Sequence, residues 1–321
     1  MVRHVLWFVA LFITVLVAAT PALSYTVYVT NQGENSLTII DGKTRKVLRT
    51  VKVGQVKPHN AVLSKGNKWL YVANVGSGSV SVFDLSHMTE VAEIPAGKGC
   101  HGVMLTPDGK QAWTANVKAN TVSVIDLDSQ KVVRTIKVGT KPALVDFTPD
   151  GKKAYVSNGG SGDVYVIDTA SGDVLKRVLA GRGAMGMAFT PDGKELWITE
   201  GGDNTVSIID TEKDEVLAKV KIGADTHGVV ISPNGKRAYV TVRKEHFVAV
   251  VDVSSRKILF KIAVSGRPDI ADISPDGKEL WVTSRDAKAV DVIDLTTNRK
   301  VATIPVGTTD NPDPHGITIT E

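Results

Sequence analysis

The chain repeats itself with a fixed step. Laid out on the run HGVMLTPDG (101–109), the segments ALVDFTPDG (143–151), MGMAFTPDG (185–193), HGVVISPNG (227–235) and DIADISPDG (269–277) fall into one register. The units start at 59, 101, 143, 185, 227 and 269, a constant step of 42, and a last start at His315 follows a longer loop, GTTDNPDP. Such a period means stacked or radial copies of one supersecondary unit.

Each unit holds four short apolar or alternating runs divided by turn signals. PDG or PNG marks the first turn, where proline suits the first corner and glycine takes a positive φ. The third run ends in aspartate in every unit, at Asp41, Asp84, Asp126, Asp168, Asp210, Asp252 and Asp294. Those carboxylates are expected to brace the following turn by accepting backbone N–H groups. Four strands in 42 residues is the signature of a propeller blade, with a linear β-solenoid as the rival. The two ends of the chain decide. YTVYVTNQGENSLTIIDGKTRKVLRTVKV (25–53) supplies strands two to four of a unit, and HGITIT (315–320) supplies a strand one. Joined, they complete a seventh blade and remove two open sheet edges. The expectation is therefore all-β: one seven-bladed β-propeller of four-stranded blades over 25–321, closed by pairing of the N-terminal strands with the C-terminal strand.

The runs YVTN (28–31), YVAN (71–74), WTAN (113–116) and YVSN (155–158), followed by Gly/Asn turns and SVFD, SVID or YVID, resemble the YVTN-repeat propeller family. The pattern drifts later, to WITE (197–200), YVTV (239–242) and WVTS (281–284). The resemblance implies the propeller fold and an exported or surface location, and says little about activity. Residues 1–24 agree with export. A basic start at Arg3, an apolar run from Val5 to Ala19 and small residues Ala22 and Ser24 before Tyr25 read as a cleaved secretory signal peptide. An uncleaved anchor is the alternative. The expected location is periplasmic or secreted, with no transmembrane span in the mature chain.

A formal net charge of +4 in 321 residues gives no reason to expect nucleic acid. A single cysteine, Cys100, rules out an internal disulfide. The chain has no CxxCH for covalent haem and no GxSxG nucleophile elbow.

Reading the first position of strand one around the ring gives His59, His101, Ala143, Met185, His227, Asp269 and His315. Strand one of a propeller is innermost, so this register lies at the mouth of the central channel. Because the ring closes, five consecutive blades carry a candidate ligand: His227, Asp269, His315, His59 and His101. Imidazoles with a carboxylate suit a borderline transition metal. Sulfur from Met185 or Cys100 would favour copper over zinc or iron. Cys100 stands one residue before the ring position, so its side chain is expected to point elsewhere, with a ligand role as the alternative. The bland alternative is that the histidines line the channel and bond neighbouring carbonyls. Arg182, Arg267 and Glu200 stand around the same mouth as candidate cofactor contacts. Lys57, Lys98 and Lys141 extend a basic rim, opposed by Asp225, Asp310 and Asp313.

Four functions are compatible. The first is a metal-binding propeller, copper favoured and redox activity open. The second is a non-catalytic scaffold, a monomer engaging a protein or small molecule on its inter-blade-loop face. The third is a haem-binding propeller similar to the haem domain of periplasmic nitrite reductases. The fourth is a lactonase resembling other seven-bladed enzymes, with acidic residues and a divalent ion.

Overall fold

The computed structural model describes residues 25–320, so the signal-peptide reading of 1–24 lies outside the described residues. The described residues form seven four-stranded antiparallel sheets and no helix. No helix long and apolar enough to cross a membrane is present among them.

The first blade is the shared one. Its strands Thr26–Asn31, Ser36–Asp41 and Lys46–Lys52 come from the N-terminal side, and Pro314–Ile319 pairs with Thr26–Asn31 from the other end of the chain. The register sets Val27 against Ile319 and Val29 against Ile317. Blades two to seven are contiguous and begin with the inner strands Pro58–Leu63, Cys100–Leu105, Pro142–Phe147, Ala184–Phe189, Thr226–Ile231 and Pro268–Ile273. Each inner strand also packs against the inner strand of the next blade, and Pro314–Ile319 closes the circle between Pro268–Ile273 and Pro58–Leu63.

Turn chemistry follows the sequence. In PDG turns such as 107–109, Gly109 has φ +70° and donates its N–H to Thr106 O, while Asp108 Oδ1 accepts from Thr106 Oγ1 and Lys110 N. All seven strand-three aspartates accept a backbone N–H in the next turn, as Asp126 does from Ser129 at 2.8 Å and Asp252 from Ser255 at 2.8 Å.

Apolar side chains pack between blades. Trp113, Val122 and Val124 of the third blade meet Val145, Phe147, Ala154 and Val156 of the fourth. Trp197 and Trp281 fill the corresponding spaces two and four blades on, and all three indoles are fully buried. Because strand faces alternate, each blade presents one apolar face to each neighbour.

Candidate metal centre

In all seven blades the pairing of strand one with strand two slips at the ring position. Pro58 faces Asn74 while Asn60 faces Ala73, so His59 is the extra residue; Cys100 with Asn116 and Gly102 with Ala115 leave His101 extra in the same way. The other five inner pairs shift at the same place. A bulge bends the strand and re-aims the side chain next to it.

Hydroxyls of strand two fasten this bulge to the next blade. Thr241 Oγ1 accepts from Gly228 N at 2.7 Å in its own blade and donates to Asp269 O of the next at 2.7 Å. Thr30, Ser157, Thr199 and Thr283 likewise donate to His59 O, Met185 O, His227 O and His315 O. Glycine after the ring residue makes room for that carbonyl. A Cβ on Gly228 would lie 2.7 Å from Asp269 O, and one on Gly316 would lie 2.3 Å from His59 O. The recurrent HG of the sequence is therefore a packing requirement as well as a ligand signal. Blades two and three have Ala73 and Ala115 where the other five carry a hydroxyl. In blade three His101 Nδ1 bonds Ala143 O at 2.9 Å. A carbonyl only accepts, so Nδ1 carries the proton and Nε2 keeps its lone pair. Channel lining by a carbonyl bond thus holds for one nitrogen of His101.

Five of the ring residues come together. The His59 ring lies 3.7 Å from that of His101 and 3.6 Å from that of His315, centroid to centroid. His227, Asp269 and His315 offer ligand atoms within 4.8 Å of one another, all three side chains buried. Asp269 Oδ2 lies 2.8 Å from His315 Nε2, without the alignment of a hydrogen bond, and Oδ1 lies 3.5 Å from His227 Nε2. The Nδ1 atoms of His59 and His315 are buried with no hydrogen-bond partner. His59, His101, Met185, His227 and His315 border a void of about 20 Å³, room for one water-sized occupant.

Burial governs the protonation of these groups. It pushes the His101 pKa down to about 4 and those of His59 and His227 well below the ordinary imidazole range. Burial alone would raise Asp269, but His315, His227 and Arg243 outweigh it and hold the carboxyl well below its usual range. His59, His101 and His227 therefore present neutral imidazole nitrogens beside an ionised carboxylate, the forms that bind metals.

Two residues were not foreseen from the sequence. Arg243 hydrogen-bonds Asp269 Oδ1 and sits with Nη2 2.7 Å from His227 Nε2. Arg285 lies 3.9 Å from Asp269 Oδ2 and is clamped by both oxygens of Asp313 at 2.7 Å. A signal did exist: the residue after strand two reads Gln32, Val75, Val117, Gly159, Gly201, Arg243, Arg285, so arginine occupies two consecutive blades.

The remaining candidates lie apart from the histidines. Glu200 is buried against Gly181, bonds Thr205 Oγ1 at 2.5 Å and lies 3.8 Å from Lys219 Nζ. Exposed Arg182 is paired with Asp203 at 2.7 Å, and Arg267 is exposed on the rim. Cys100 is buried in the apolar core with Val80, Val103 and Ile125, and burial pushes its thiol up to about 12. It packs there and does not join the ring.

The family model of the lactonase seven-bladed β-propellers matches residues 22–306. The chain belongs to that family. No curated protein matches this propeller by sequence. Among solved structures it is similar to Kuenenia stuttgartiensis hydrazine synthase, with TM-score 0.75 and 21% identity over 84% of this chain and 97% of that one. It is also similar to a functionally unknown protein from Desulfotomaculum acetoxidans, with TM-score 0.79 and 15% identity over 92% and 99% of the two chains. A third similar structure is the dihydro-heme d1 dehydrogenase NirN in complex with DHE, at TM-score 0.69 and 15% identity over 91% and 74%. At such identities the likeness of this lactonase-family propeller to these proteins is one of fold.

Proposed function

We propose that this propeller binds a transition metal ion at the channel mouth, with His227, Asp269 and His315 as its ligands. The observation that carries the reading is the convergence of three buried ligand atoms from three consecutive blades. A burial cost of this kind is repaid when the groups are paired or bind a cation. Two imidazoles and a carboxylate suit copper, zinc or iron(II). Copper stands first in the general affinity order, and the Met185 thioether borders the same void. When bound, the ion would supply Lewis acidity, or electron transfer if it is redox-active. His59 and His101 complete the imidazole lining beside it.

Other readings fit less of the geometry. A void of about 20 Å³ admits neither a lactone ring nor a haem into the channel. Lactonase activity rests on family membership, and fold alone does not carry activity. Haem, on the analogy of NirN, would have to sit outside the channel on the loop face, near Arg182 and Arg267. A purely scaffolding role leaves the neutral histidines and the buried carboxylate without a purpose. The YVTN-like motifs and the N-terminal segment support export to the periplasm or beyond.

Metal content by plasma mass spectrometry, on untagged protein from its native compartment, tests the reading. About one equivalent of copper, zinc or iron per chain is expected, falling at least tenfold in a His227→Ala, His315→Ala double variant that keeps its fold. Full metal content in that variant, or none in the parent after reconstitution with each ion, would overturn the assignment. A Soret band in the purified protein would turn it toward haem.

A further inference from the structure

Arg243 already occupies the ground a metal ion would take. Its guanidinium bridges His227 Nε2 and Asp269 Oδ1, the facing groups of two adjacent blades. An arginine has no acceptor, so His227 Nε2 must present its lone pair to it. A metal needs that same lone pair and that same carboxylate. Cation and guanidinium cannot share them, because like charges at such distances repel strongly in a buried site. We propose that Arg243 is an exchangeable internal counter-cation: it neutralises Asp269 in the metal-free protein and gives way when a metal binds. This rests on the metal reading above and goes beyond it, by assigning a competitor that sets the affinity of the centre.

Three features support exchange over a permanent clamp. Arg243 Nε is buried with no hydrogen-bond partner, so the guanidinium is incompletely held where it lies. A second carboxylate is at hand, for Arg243 N bonds Asp225 O at 3.0 Å and the Asp225 charge acts on the Arg243 guanidinium. Arg285 makes the contrast. It approaches Asp269 only to 3.9 Å and is held by two 2.7 Å bonds to Asp313, so it can stay in place whichever cation occupies the centre. The exchange has a chemical consequence. An ion must outcompete a guanidinium already bonded to two of its ligands, which disfavours weak binders and favours the strong end of the divalent series.

The test is calorimetric titration with Zn(II) and Cu(II) of the metal-free parent, Arg243→Met and Arg285→Met. Without metal, Arg243→Met is expected to melt lower than the parent, because Asp269 loses its counter-charge. Its affinity for either ion should rise at least tenfold, whereas Arg285→Met should change affinity less than threefold. If Arg243→Met does not fold without metal, Arg243→Lys carries the comparison, with a smaller gain expected from a point charge that cannot bridge both groups. Equal or weaker binding by the Arg243 variant, beside a parent that binds, would overturn the exchange and leave the metal reading standing. Binding by none of the proteins would overturn both.

Discussion

At the scale of single residues, two inner-strand groups titrate in opposing senses. His101 has a folded pKa near 4 against an unfolded value of about 6.5. The unfolded chain therefore takes up the proton first, and stability falls as pH drops from about 6.5 to about 4. Asp146, three residues past Ala143 on its inner strand, behaves the other way. Burial raises its carboxyl to about 7, against about 3.9 unfolded. Stability is then lost as pH rises from about 4 to about 7, and stays lost above that. Asp146 accepts one bond, from Phe147 N at 2.8 Å, which an amide oxygen can accept equally. Asp146→Asn should therefore melt above the parent at pH 8 and no higher than it at pH 4, a pair of thermal melts being sufficient to check. An equal gain at both pH values would show that the carboxyl is not held protonated. The groups of the proposed centre are partly legible at this scale. His227, Asp269 and His315 are marked by register, whereas Arg243 and Arg285 follow strand two and only tertiary contact brings them to Asp269 on strand one.

At the scale of the strand, the bulge and its hydroxyl clip determine where the ring side chains point. Thr241 ties Gly228 N to Asp269 O within one side chain. Thr241→Val keeps the shape and removes both bonds in a fully buried place. A loss of about 1–3 kcal/mol in unfolding free energy is expected by denaturant titration, since a buried donor and acceptor are left unpaired. Gly228→Ala should do more local damage. Its Cβ would meet the Asp269 backbone oxygen at 2.7 Å, so that strand must shift and carry Asp269 with it. Metal affinity is expected to fall in Gly228→Ala even where the fold survives, and unchanged affinity would show that the ring tolerates the displacement. From the sequence alone HG reads as a ligand followed by a turn residue. The close approach of the next blade, which is the physical reason for the glycine, is visible only between blades.

At the scale of the whole molecule, stability resides in seven similar interfaces and one closure. Trp113 is fully buried between the third and fourth blades, in edge-to-face contact with Phe147 at a centroid distance of 5.5 Å. Trp113→Ala should cost about 3–5 kcal/mol, as for other large-to-small core changes. The closure is noncovalent, through Pro314–Ile319 against Thr26–Asn31. It is also where His315 joins His227 and Asp269, so the last strand completes both the ring and the His/Asp cluster.

The sequence by itself determined the architecture, because period, turn residues and complementary ends are local or additive signals that need no knowledge of neighbours. Seven blades, four strands each, the site of closure and the ring register of the histidines all followed from it. The tertiary structure alone decided the chemistry of that register. Which imidazoles face a carboxylate, that Glu200 bonds Thr205, and that Arg243 bridges His227 and Asp269 all depend on side chains meeting across turns and between blades. Those meetings are governed by bulges and by the gap between blades, which no spacing along one chain encodes.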